Sequence, residues 1–296
     1  MELSKDKEKI EVKQGEFLTC NNIIQTDCDL YNRDTGEIIF SFKKNVIDDT
    51  HYNNLHKGII NHARTISNNR GNSAGKVSIT GLNKHQENWK PEAHPVELVD
   101  KNGIKTETQS SSSFFKYADG RLSKRARSNN VMSSAIGGFD KNAGNPCRLT
   151  HYTKNNLQKY VSVFPLCEKI SELYFSYFPG KWYSQFNKYE QCPKEFVIPN
   201  TNFSTITLNC DFRTATHVDK GDAKEGLTCF TILKNGEFTG GELIFPEYNI
   251  AVNVCQGDLL IFDPHQIHCN NPLQGSGRVS FVFYLRNKMN LCENKT

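Results

Sequence analysis

The sequence predicts an α+β chain, mainly β, in which a sheet or barrel is flanked by helices. Three observations point there. Short apolar runs such as G-D-L-L-I-F-D at 257–263 and R-V-S-F-V-F-Y-L-R at 278–286 crowd the last third, and their length and composition suit buried strands. Upstream, Leu157, Tyr160, Val161, Phe164, Ile170, Leu173, Tyr174 and Phe178 recur at helical spacing, with Pro165 dividing two helices. Finally, His217 and Asp219 stand two apart, on one face of an extended strand, and only a folded sheet or barrel brings the distant His268 to them.

The elements follow in order. Residues 1–13 are charge-rich and expected to fray. F-L-T-C at 17–20 and E-I-I-F-S-F at 37–42 read as strands on either side of the turn signal N-R-D-T-G at 32–36, placing two strands on the edge of the main fold. Residues 51–63 suit a short helix, whereas R-T-I-S-N-N-R-G-N-S-A-G at 64–75 is too rich in Gly, Ser and Asn for regular structure. A polar stretch over 83–130 contains S-S-S-S at 110–113 and the basic run R-L-S-K-R-A-R at 121–127. After the helical block, 182–191 is a second amphipathic piece, and S-T-I-T-L-N at 204–209 is an alternating strand leading to Arg213 and the histidines.

Composition narrows the class. At 296 residues and 37% apolar, the chain is long enough to bury one large core, with or without an extension. A net charge of +4 permits nucleic-acid binding without arguing for it. The ten cysteines are scattered, without a C-x-x-C pair, and several sit inside apolar strands, so reduced thiols in an intracellular (nuclear or cytoplasmic) protein are expected. No apolar run approaches the ~20 residues of a membrane span, and no signal-peptide core follows Met1.

Two histidines and one carboxylate suit a ferrous ion: imidazole nitrogens and a hard oxygen hold Fe(II) and leave positions open for a co-substrate and dioxygen. His217, Asp219 and His268 are therefore the expected metal ligands and the catalytic centre. On the last strand Arg278 and Ser280 alternate and share a face with Val282 and Tyr284. A guanidinium fork grips a carboxylate bidentately, which suits 2-oxoglutarate clamped by Arg278 and Ser280. Arg213 either assists in holding its carboxylates or forms an ordinary ion pair at the mouth.

These motifs, H-V-D at 217–219, T-G-G-E-L-I-F-P-E-Y at 239–248, His268 and R-V-S at 278–280, resemble the Fe(II)/2-oxoglutarate dioxygenases of the TET/JBP family, with weaker likeness through S-N-N-V-M-S-S-A-I-G-G-F-D at 128–140 and C-R-L-T at 147–150. The resemblance covers roughly the last two-thirds of the chain. It implies a double-stranded β-helix (jelly-roll) core over 61–290, an N-terminal extension over 1–60 and a tail at 291–296. It also implies oxidation of the methyl group of 5-methylcytosine or thymine in nucleic acid, with double-stranded DNA the expected partner and the base flipped into the pocket.

Asp222, Tyr284 and Arg286 stand at positions that resemble substrate-contacting ones: Asp222 to accept from an exocyclic amine, Tyr284 to stack on the base, Arg286 where relatives carry histidine. A solvated Asp and a core Tyr are the plain alternatives. Asn129 and Asn130 are candidates for the Watson–Crick edge, or else turn-forming residues. An Arg-Gly segment resembling Arg70 and Gly71 lies near the active site in the family, against a solvated loop as the alternative. The basic run either grips phosphates, carries a nuclear-import signal, or is solvated. Two rivals remain, a prolyl or lysyl hydroxylase of the same fold and a non-catalytic nucleic-acid-binding module.

Overall fold

The computed structural model describes residues 1–8, 11–55, 57–77, 95–106, 113–123, 128–141 and 145–293. The chain runs through β1 (Glu2–Lys5), β2 (Ile23–Ile24), β3 (Cys28–Asn32) and β4 (Ile38–Lys43), then two short helices, Asp49–Asn53 and Lys57–Ala63. After β5 (Ile66–Ser67) come the hairpin β6 (Pro95–Val99) and β7 (Phe114–Tyr117), β8 (Val131–Phe139) and β9 (Arg148–Leu149). A helical block follows, His151–Asn155, Leu157–Val161, Phe164–Tyr177 and Pro179–Glu190. The remaining strands are β10 (Thr205–Cys210), β11 (Thr228–Lys234), β12 (Phe238–Gly240), β13 (Leu243–Phe245), β14 (Ile250–Val252), β15 (Leu259–Phe262), β16 (Cys269–Asn270), β17 (Leu273–Gly275) and β18 (Arg278–Tyr284).

Two sheets make the jelly roll. The major sheet has the order β1-β3-β4-β15-β11-β18-β10-β8-β5, and the minor sheet the order β16-β13-β14-β2. Strands adjacent in the major sheet are distant in sequence, as when β18 lies between β10 and β11. That crossing brings the chain's last strand into the middle of the fold.

The strand pattern explains why these runs carry apolar side chains on both faces. On β18, Val279, Phe281 and Phe283 are fully buried in the cluster beneath the helices, which also takes Tyr160, Leu166, Ile170 and Tyr174. The other face, Arg278, Ser280, Val282 and Tyr284, turns to the interior of the sandwich. On β11, Cys229 and Leu233 face the helices, while Phe230 and Ile232 join Leu243, Phe245 and Phe262 between the sheets. A sheet covered on both sides needs such runs, and burial of a Phe or Leu contributes about 1.5–3 kcal/mol.

Pro165 lies in the first turn of the Phe164–Tyr177 helix, where its missing N–H costs nothing. Three expectations are revised. The strand before the N-R-D-T-G turn is β3, not 17–20: Asn32 caps that turn by accepting from the Asp34 and Thr35 amides. The polar stretch contains the β6–β7 hairpin, although 83–94, 107–112 and 124–127, including most of the basic run, lie outside the described residues. Finally, Cys147 and Cys292 form a disulfide with Cα atoms 5.8 Å apart, which overturns the expectation of wholly reduced cysteines. A pairing 145 residues apart leaves no local spacing to read. The other eight are free thiols, all buried except Cys255. Among the described residues no helix is long and apolar enough to cross a membrane.

Candidate metal centre and active-site cavity

His217 and His268 face each other across an antiparallel backbone bridge, each amide donating to the other's carbonyl at 3.0 Å. This bridge, beside β16, brings together residues 51 positions apart. Each ring donates from Nδ1 to a carbonyl two residues earlier, His217 to Ala215 at 2.7 Å and His268 to Gln266 at 2.8 Å. A carbonyl accepts only, so Nδ1 carries a proton and Nε2 is the nitrogen left to face a metal ion. Asp219 lies 3.8 Å from Nε2 of His217 and 3.5 Å from that of His268, and one ligand atom from each of the three falls within 4.8 Å of the others.

Electrostatics prepares the same donor set. Burial, then the nearby His268, pushes His217 down to about 4, so its imidazole is neutral at physiological pH. Burial works against the Asp219 charge, but its contact with His268 first, and the Arg70 guanidinium further off, outweigh burial and hold the carboxyl below the usual carboxylate range. Two imidazole nitrogens and one carboxylate on a shared focus fit a divalent cation of the iron type.

The trio lies in the wall of a cavity of about 310 Å³, also lined by Arg70, Thr207, Asn209, Asp222, Phe230, Ser280, Tyr284 and Arg286. Asp222 is buried, accepts from the Thr228 hydroxyl at 2.8 Å, and is pushed well above the usual carboxylate range by burial and then by Asp219. The Tyr284 hydroxyl pairs with Thr207 at 3.2 Å. Arg286 donates from Nε to Asp140 at 2.7 Å and lies over the Phe139 ring at 4.5 Å.

Arg278 is 4% exposed, lies over the ring of the cavity-lining Phe230, and does not itself line the cavity. Asp211 fixes the start of its strand by accepting from the Gly277 and Arg278 amides. Gly241 makes room for it: a Cβ there would lie 3.0 Å from Arg278 Nε, at a φ of +80° that side chains rarely adopt. Burial brings the guanidinium down to about 10. Among the described residues no side-chain hydrogen bond or ion pair of this guanidinium is found, so a carboxylate would answer it.

The structure thus gathers His217, Asp219, His268, Asp222, Ser280, Tyr284 and Arg286 around one cavity, while Arg278, two residues before Ser280 on β18, does not line it. Arg70 joins them, and its buried Nε has no hydrogen-bond partner. Three candidates are not brought in. Arg213 donates to the carbonyls of Leu18 and Asn270 and stacks on Phe17, tying the N-terminal segment down. Asn129 donates to the carbonyls of Ala74 and Lys76, and Asn130 is exposed and does not line the cavity.

Thr207 and Asn209 were missed, although a signal existed. In T-I-T-L-N-C, Ile206 and Leu208 are fully buried on one face, which leaves the polar Thr207 and Asn209 on the other, facing the cavity. Asp140, the Arg286 partner, gave no such signal.

Comparison with known proteins agrees with this geometry. The model of the Tet_JBP family, described as the oxygenase domain of the 2OGFeDO superfamily, matches residues 134–287. The thymine dioxygenase JBP1 of Crithidia fasciculata is 35% identical over 166 residues, covering 53% of this chain and 20% of that protein. That of Leishmania infantum is 29% identical over 265 residues, 86% of this chain and 30% of that protein. The chain therefore spans about a fifth to a third of the curated relatives it matches. Among solved structures, NgTET1 in complex with 5mC DNA matches with a TM-score of 0.57 at 13% identity, covering 100% of this chain and 87% of that one, a likeness of fold.

Proposed function

Because the chain belongs to the Tet/JBP family, the oxygenase domain of the 2OGFeDO superfamily, we propose that it is an Fe(II)- and 2-oxoglutarate-dependent dioxygenase acting on the methyl group of 5-methylcytosine or thymine in DNA. The observation that carries this reading is one cavity with the His217, Asp219 and His268 donor set in its wall, lined also by Ser280, Asp222, Tyr284 and Arg286. The names of the relatives, thymine dioxygenases and a 5mC DNA complex, support the choice of substrate class.

Nε2 of His217, Nε2 of His268 and the Asp219 carboxylate would hold the ferrous ion. When bound, it supplies dioxygen activation coupled to decarboxylation of 2-oxoglutarate, chemistry that no side chain can perform. Ser280 and Arg278 orient the co-substrate by its distal carboxylate, a charge-assisted contact that fixes direction as well as affinity. Phe230, Leu243 and Phe262 line the cavity and keep water from it. Tyr284 offers a ring to stack on the base, Asp222 and Arg286 offer polar contacts to its edge, and a duplex substrate must give up the base by flipping.

The test is mass spectrometry of nucleosides after incubation of the protein with iron, 2-oxoglutarate and methylated or thymine-containing DNA. An oxidised 5-methylpyrimidine is expected. Turnover of 2-oxoglutarate with no altered nucleoside, on DNA or RNA, would overturn the reading in favour of a protein hydroxylase.

A further inference from the structure

The dioxygenase reading leaves open what gives Ser280 its direction. Ser133 on β8, Asn209 on β10 and Ser280 on β18 stand in one row across three adjacent strands. Ser133 is fully buried, and Ser280 is 2% exposed, in the lining of the cavity. The Ser133 hydroxyl donates to Oδ1 of Asn209 at 2.5 Å, and Nδ2 of Asn209 donates to Oγ of Ser280 at 3.3 Å.

The amide stands with its oxygen toward Ser133 and its nitrogen toward Ser280. Ser280 is then an acceptor toward Asn209. A hydroxyl has one proton, and among the described residues no acceptor for that of Ser280 is found, so it turns to the cavity that Ser280 lines. Were the amide reversed, Ser280 would donate to Asn209 and present lone pairs to an arriving anion.

We propose that Asn209, oriented by Ser133, is a positioning residue that turns the Ser280 proton into the cavity, so that it donates to the distal carboxylate of 2-oxoglutarate; this rests on the dioxygenase reading above. The relay makes one rotamer of one buried hydroxyl a committed donor. It also explains the polar row in a sheet whose neighbouring positions Ile206, Leu208, Val279 and Phe281 are fully buried and apolar.

The test measures ligand binding to the Mn(II)-loaded protein by calorimetry, with 2-oxoglutarate and with 2-oxobutyrate, which shares the 2-oxo acid head but lacks the distal carboxylate. Asn209→Asp places acceptors toward both serines, draws the Ser280 proton away and adds a like charge. It is expected to weaken 2-oxoglutarate by roughly tenfold or more and 2-oxobutyrate by less than about threefold. Ser133→Ala keeps the amide but frees its rotation, and should weaken 2-oxoglutarate selectively by about threefold.

Equal weakening of both ligands by Asn209→Asp, or no weakening, would overturn the relay. If that variant does not fold, an unchanged preference for 2-oxoglutarate over 2-oxobutyrate in Ser133→Ala would overturn it instead. A wild-type protein that binds no 2-oxoglutarate would overturn the dioxygenase reading itself, and this inference with it.

Discussion

Replacing Arg278 by Met should move stability and co-substrate binding in opposite directions. The guanidinium is 4% exposed, and burial brings it down to about 10, which corresponds to roughly 3 kcal/mol set against its charged form. Glu242 and Asp211 offset this only at a distance. Met has a similar reach, fills the space over Phe230 and carries no charge to desolvate. Without 2-oxoglutarate the variant should therefore be as stable as the parent, or more stable by up to about 3 kcal/mol. With it, the variant lacks a charge-assisted contact of about 1.5–3 kcal/mol, so affinity should fall roughly 10- to 150-fold. Denaturant midpoints of the Mn(II)-loaded protein read the first quantity and calorimetric titration the second. A loss of several kcal/mol in stability with affinity intact would refute the reasoning and make Arg278 a structural brace.

Other perturbations separate the remaining roles. Asp219→Ala should abolish stoichiometric iron binding, measured by metal analysis after gel filtration, because two imidazoles alone hold Fe(II) weakly. In the metal-free protein His217 is depressed to about 4, so between there and its unfolded value near 6.5 the unfolded chain binds the extra proton. Stability should thus fall as pH drops from about 6.5 toward 4, by roughly 3 kcal/mol, and His217→Gln should flatten that slope in denaturant melts at several pH values. Asp222→Ala should weaken oxidation of a base while leaving substrate-free release of succinate in place, and base oxidation at the parental rate would remove Asp222 from the pocket. Gly241→Ala should cost about 1–2 kcal/mol of backbone strain and also raise the 2-oxoglutarate requirement, read as KM, because the new Cβ meets Arg278.

What could be read from the sequence was local, and what escaped was relational. His217 and Asp219, or Arg278, Ser280 and Tyr284, announce a shared face because a strand repeats every two residues, whatever it pairs with. The helical block is legible for the same reason at its own period. Partners set by register between distant strands carry no such mark: the Ser133–Asn209–Ser280 row exists only because β10 sits between β8 and β18. Asp140 meets Arg286, and Cys147 meets Cys292, across 146 and 145 positions.

Arg213 shows the converse error. Nearness in sequence to the metal ligands suggested a place in the site, yet its side chain reaches Leu18 and Phe17: β10 ends at Cys210, Asp211 takes a positive φ, and the break shifts the parity so that Phe212 and Thr214, not Arg213, face the cavity. Alternation along β10 admits Asn209, but carried past Cys210 it would also have admitted Arg213, and nothing in the sequence marks the break at Asp211. Periodicity thus tells which side chains share a site only as far as the strand runs unbroken, and proximity in sequence to a motif does not extend it.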